Sequence, residues 1–93
     1  MILHLGENIS VQLREIIGIF NLENNGNSSD NLSFLKTAGD EGFIHQISDD
    51  PPKSFVVAEK DHKSIVYLSP ISTQTLIRRA QSAFDQEETN HGR

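Results

Sequence analysis

The sequence predicts an α+β fold: a small antiparallel β-sheet with hairpins, one short internal helix and a C-terminal helix. Three observations carry this. Lys53-Ser54-Phe55-Val56-Val57, a polar turn, and Ser64-Ile65-Val66-Tyr67-Leu68-Ser69 have the pattern of a β-hairpin. Directly after it, Ser72 stands as an N-cap before Leu76, Ile77, Ala80, Ala83 and Phe84, which recur at helical spacing. A shorter helical pattern, Leu32, Leu35 and Ala38 with Phe34 nearby, lies in the middle of the chain.

Taken in order, Ile2 to Leu5 is a first strand, and Gly6-Glu7-Asn8 is a turn in which glycine can take positive φ. Ile9 to Val11 returns as a short second strand, and polar Gln12 to Glu15 is a corner. Ile16 to Leu22, rich in isoleucine, reads as a strong central strand. Glu23 to Ser29 is a polar, asparagine-rich connection. Ser29 or Asp30 caps the internal helix, which runs to about Ala38 with Gly39 at its C′ position. Phe43 to Ile47 is another strand, stopped by Asp49-Asp50-Pro51-Pro52, because proline cannot donate to a ladder. The main hairpin turns at Lys60-Asp61-His62-Lys63, and Pro70 ends its second strand. In the last helix, Ile71 and Leu76 have the spacing of a hydrophobic staple around the Ser72 cap. The apolar stripe ends at Phe84, so residues 1–84 are expected to form a single domain and residues 85–93 a flexible acidic tail.

The chain has 93 residues, which bounds it to one domain with a thin core. It contains no cysteine, which excludes disulfides, thiolate metal sites and cysteine nucleophiles and suits a reducing cytoplasm. No apolar run approaches the roughly 20 residues of a membrane helix. The start Met1-Ile2-Leu3-His4-Leu5 lacks the basic region of a signal peptide, so no membrane partner is expected. A net charge of −5 argues against non-specific nucleic-acid or membrane binding by the whole surface, although not against a local basic patch.

The strands are apolar on both faces. Phe55 and Val57 oppose Val56 and Ala58, Ile65 and Tyr67 oppose Val66 and Leu68, and Ile17 and Ile19 oppose Ile16 and Phe20. A sheet with one wet face would alternate. Two short helices can shield one face, so the other must meet a second sheet of the same chain or another subunit, and assembly with copies of the same chain is expected. The alternative is a closed monomer that uses both faces internally.

Little in the chain points to catalysis. His4, His45, His62 and His91 are not spaced three or four apart, as a helical metal pair would be, and no metal or other cofactor is expected. Asp40-Glu41 and Asp49-Asp50 sit beside glycine and proline as loop solvation would have them. The hydroxyls of Ser69-Pro70-Ile71-Ser72 lack a nucleophile-elbow pattern, and the six glycines are scattered rather than gathered into a phosphate loop. An enzyme is therefore not expected. The basic residues Arg14, Lys53, Lys60, Lys63, Arg78 and Arg79 are either ordinary solvated cations or, where they gather, phosphate contacts.

Leu3-His4-Leu5-Gly6, Ile16-Ile17-Gly18-Ile19-Phe20-Asn21-Leu22-Glu23, the block from Ile47 to Val57, and above all Val66-Tyr67-Leu68-Ser69-Pro70-Ile71-Ser72 resemble the bacterial extracellular matrix regulatory protein family, more closely its B branch. The resemblance spans nearly all of residues 1–80. It implies a cytoplasmic transcription regulator of extracellular matrix (biofilm) genes. Such a protein would be a homo-oligomer, as a ring in the family's DNA-binding A branch, with duplex DNA as a partner. Arg14 matches an arginine of that DNA-binding branch. Where that branch carries an arginine cluster before the hairpin, this chain has Asp49-Asp50-Pro51-Pro52-Lys53, of which only Lys53 is basic. The nucleic-acid-binding residues expected are Arg14 and Lys53, with Arg78 and Arg79 on the last helix as second choices. The alternative is a protein-interaction module of the same fold that does not bind DNA, its acidic loops suited to a basic partner.

Overall fold

The computed structural model describes residues 1–23 and 29–91. The asparagine-rich loop read over residues 24–28, the cap side chain at Ser29 or Asp30 and the last two residues of the tail lie outside the described part. The elements are β1 (Ile2–Gly6), β2 (Ile9–Gln12), a 3-10 turn (Leu13–Glu15), β3 (Ile16–Asn21), α1 (Ser29–Asp40), β4 (Ile44–Gln46), β5 (Ser54–Lys60), β6 (Lys63–Ser69) and α2 (Thr73–His91). The expected α+β class stands. β1 and β2 form a separate antiparallel hairpin, and the other strands form a sheet in the order β3-β5-β6-β4.

The β5–β6 hairpin is the centre of that sheet, paired from Ser54↔Ser69 to Lys60↔Lys63. Its turn, Asp61-His62, has positive φ at both central residues, as in a type I′ turn whose twist matches the strands. Two expectations need correction. β3, read as a central strand, lies at the edge of the sheet. Its isoleucines reported burial on two faces, which does not fix position within a sheet. β4 is shorter than Phe43 to Ile47 and runs parallel to β6, so the sheet is mixed.

Alternation along β5 and β6 divides the core in two. Val56 and Tyr67 face Leu3, Leu5, Val11 and Leu76, so the β1–β2 hairpin and α2 cover one side. Phe55, Val66 and Leu68 face Ala38 and Leu35 of α1 on the other. The helices therefore lie on opposite faces, not together on one as the sequence suggested. The small second sheet supplies the missing cover.

The cover is incomplete. Ile17, Phe20, Leu32, Phe34, Ile77 and Phe84 remain exposed. Of the α2 stripe, Leu76 is buried and Ala80 half-buried, while Ile77 and Phe84 face outward. Only β1 and β3 pack closely on α2, and a narrow contact buries a narrow stripe. Ile17 is the extra residue of a β-bulge between Ile16↔Ala58 and Gly18↔Val57, which turns its side chain into solvent at 62% exposure.

Helix ends follow local chemistry. Ser72 caps α2 as expected: its Oγ accepts from the Thr75 N–H at 3.3 Å and donates to Thr75 Oγ1 at 3.0 Å. Ile71 and Leu76 pack in the same core cluster. α1 runs past Ala38, and the residue that closes it is Gly42, not Gly39. The Phe43 N–H reaches the Ala38 carbonyl at 2.8 Å and the Gly42 N–H reaches that of Gly39 at 3.1 Å, a Schellman pair with Gly42 at φ 81°. α2 continues past Phe84 to His91. Asp85, Gln86, Glu87 and Glu88 carry on the helical backbone beyond the apolar stripe, because a helix once nucleated extends at little cost through such residues.

Candidate functional site

The Ser-Pro-Ile-Ser run, the most specific piece of sequence, is structural. Ser69 is wholly buried at the end of β6. Its Oγ donates to the Leu5 carbonyl at 2.6 Å and accepts from the Ile71 N–H at 3.0 Å. Leu5 needs that donor because the β1–β2 register skips it: His4 pairs with Ser10 and Gly6 with Ile9. Ser54, also buried and opposite Ser69, donates to the Ile71 carbonyl at 2.8 Å. Two hydroxyls thus tie the hairpin, the central sheet and the entry to α2 together.

The expected phosphate contacts stand apart. Arg14 is exposed in the 3-10 turn, beside the tip of the main hairpin, in a groove that Glu15, Glu59 and Asp61 also line. Lys53 is exposed at the opposite end of β5, beside Glu23, Asp50 and Pro52. The length of β5, roughly 20 Å, separates them. Arg78 and Arg79 are exposed on α2. Among the described residues the one ion pair is Lys36–Asp40, an exposed i,i+4 pair, so none of the four expected contacts is held in one. The single chain does not bring them into one cluster.

A third groove, of about 640 Å³, lies between the start of β4 and the β5–β6 turn. Phe43, His45, His62, Lys63 and Ile65 line it, with no carboxylate among its lining residues. The His45 ring sits against Tyr67, with centroids 5.5 Å apart. His62 and Lys63 were legible in the sequence as turn residues. Their meeting with Phe43 was not, because it depends on the parallel pairing of β4. The Tyr67 phenol is held above its ordinary pKa, first by burial and then by the Glu15 carboxylate. His4, in β1, donates from Nε2 to the Glu7 carbonyl at 2.7 Å. Among the described residues no three His, Asp or Glu side chains gather as a metal would require, and no helix is long and apolar enough to cross a membrane.

Fold and surface together define a small α+β protein that spends its buried hydroxyls on architecture and presents its charged groups on open ground. No protein-family model matches the chain. It is 35% identical over 85 residues to extracellular matrix regulatory protein B of Bacillus subtilis (strain 168), an alignment covering 91% of this chain and 96% of that protein. The chain belongs to the extracellular matrix regulatory protein B family.

Proposed function

We infer that the protein is a non-enzymatic, cytoplasmic regulator of extracellular matrix genes that works as a homo-oligomer and contacts duplex DNA. The observation that carries this is the set of exposed cations, Arg14, Lys53, Arg78 and Arg79, none of them held in an ion pair among the described residues, in a member of a family named for matrix regulation. Two contacts about 20 Å apart on one small subunit bind weakly; repeating them around an assembly multiplies them through avidity. The exposed Ile17, Phe20 and Phe34 supply apolar surface for such an assembly.

An electrophoretic shift assay on duplex DNA tests the reading. Binding is expected at about 50 mM salt and should fall steeply by about 200 mM. Each phosphate that a bound assembly no longer neutralises should lower the salt slope by about 0.9, and Arg14→Ala with Lys53→Ala should show that decrease. Absence of binding at the lower salt, or binding indifferent to both substitutions, would refute it.

A second reading, a protein-interaction module with a basic partner, is favoured by one observation. Glu15, Glu59 and Asp61 surround Arg14, and Glu23 and Asp50 adjoin Lys53. These carboxylates repel phosphate and attract cationic side chains. Protein partners that persist in a pull-down after nuclease treatment would support that reading.

A further inference from the structure

We propose that the groove between Phe43 and the β5–β6 turn binds a nucleobase with its adjoining phosphate, as a free nucleotide or within a single strand. Four observations converge on it. The Phe43 backbone is fixed on both sides: its N–H bonds the Ala38 carbonyl at 2.8 Å and its carbonyl accepts from the Val66 N–H at 2.9 Å. The residue is nevertheless 45% exposed, an aromatic side chain on a fixed backbone of the kind on which bases stack.

The charge that lines it is of one sign and is carried by Lys63. Lys60 and Lys63 stand directly opposite each other across the hairpin, where like charges repel. Neither has an acidic partner among the described residues. An anion seated there relieves that repulsion. Glu41 and Asp61 adjoin the groove in sequence, but neither lines it; Asp61 lines the Arg14 groove, which shares His62 with this one.

The turn is built to present a ring. His62 holds φ 66° at a position where a type I′ turn favours glycine, so a donor-bearing side chain is kept at the rim at some conformational cost. Finally, the groove has room. Its volume of about 640 Å³ suits a ligand of nucleotide size, and a Cβ built on Gly42 would meet nothing within 4 Å. Bases in a duplex are already stacked on each other, so this site is separate from the duplex contacts proposed for Arg14 and Lys53.

Amide-resonance titrations of the full chain with AMP, a short oligothymidylate and inorganic phosphate test the proposal. AMP and the oligonucleotide should first shift Gly42, Phe43, His62 and Lys63. Phosphate alone should bind more weakly. Phe43→Leu keeps apolar bulk but removes the aromatic face, and it should weaken binding by about fivefold or more while the spectrum stays dispersed. Lys63→Gln should lower the single-strand salt slope by about 0.7. Lys53→Ala, at the far end of β5, should leave the titration unchanged, which separates failure here from failure of duplex binding. Saturation by AMP alone assigns a free nucleotide; affinity rising with oligonucleotide length assigns a single strand; either result upholds the site. Unmoved resonances at millimolar AMP and oligothymidylate, equal affinity for phosphate alone, or undiminished binding by Phe43→Leu would overturn it.

Discussion

Removing one hydroxyl at Ser69 should cost this protein a large part of its stability. In Ser69→Ala the Leu5 carbonyl is left without its donor and the Ile71 N–H without its acceptor. Leu5 is fully buried and the strand register offers it no substitute. A buried polar group left unpaired costs about 1–3 kcal/mol. Ile71 is only half-buried, so its unpaired N–H should cost less, and the two together should cost about 2–4 kcal/mol. A domain of this size has about 5–14 kcal/mol in all. The assay is urea unfolding of parent and variant at one fixed protein concentration, since self-association would shift the apparent stability. With a slope near about 1 kcal/mol/M, the midpoint should fall by roughly 2–4 M. Thermal unfolding should show a drop of about 10–20 °C. Ser82→Ala, an exposed hydroxyl on α2, is the control and should stay within about 0.5 kcal/mol. A Ser69→Ala variant as stable as that control would show that the buried hydroxyl does not hold the layers together.

Three further outcomes follow from the same structure. Ser72→Ala and Gly42→Ala should each destabilise the fold by about 1 kcal/mol, the first by uncapping α2 and the second by placing a Cβ at φ 81°, and the two effects should add in the double variant. Gly18→Ala would put its Cβ 2.7 Å from the Phe20 ring, which must then leave its stack on Phe55. The cost in denaturant unfolding should be about 1 kcal/mol and should vanish in a Phe20→Ala background. The raised Tyr67 pKa means the folded state keeps that proton longer than the unfolded chain does. Its contribution is complete below the unfolded value near 10 and is lost as pH rises through the higher folded value, so Tyr67→Phe should flatten the alkaline decline in thermal stability.

Much of the local architecture was legible in the residues themselves. The main hairpin, its polar turn, the Ser72 cap and the Ile71–Leu76 staple are short-range events, decided by neighbours a few positions apart. The exposure of Arg14 and Lys53 follows likewise from their polar neighbours and that of Arg78 and Arg79 from the helical period, and the kinship was carried by runs of adjacent residues. Gly39 was mistaken for the helix terminator because both glycines follow the apolar pattern. The choice between them depends on which carbonyls the next amides reach.

What the sequence determined alone was a set of strands apolar front and back, two helices of known period, and a chain too short to waste either. Tertiary structure decided where those faces went. It put one helix on each side of the sheet, sent β3 to an edge, and turned β4 parallel to β6 so that Phe43, His62 and Lys63 share a groove. It also joined Ser69 to Leu5 across 64 positions of sequence. Periodicity tells which side of a strand is apolar, whereas the partner that covers it is chosen by long-range packing, where a one-residue bulge or a reversed strand direction changes every neighbour.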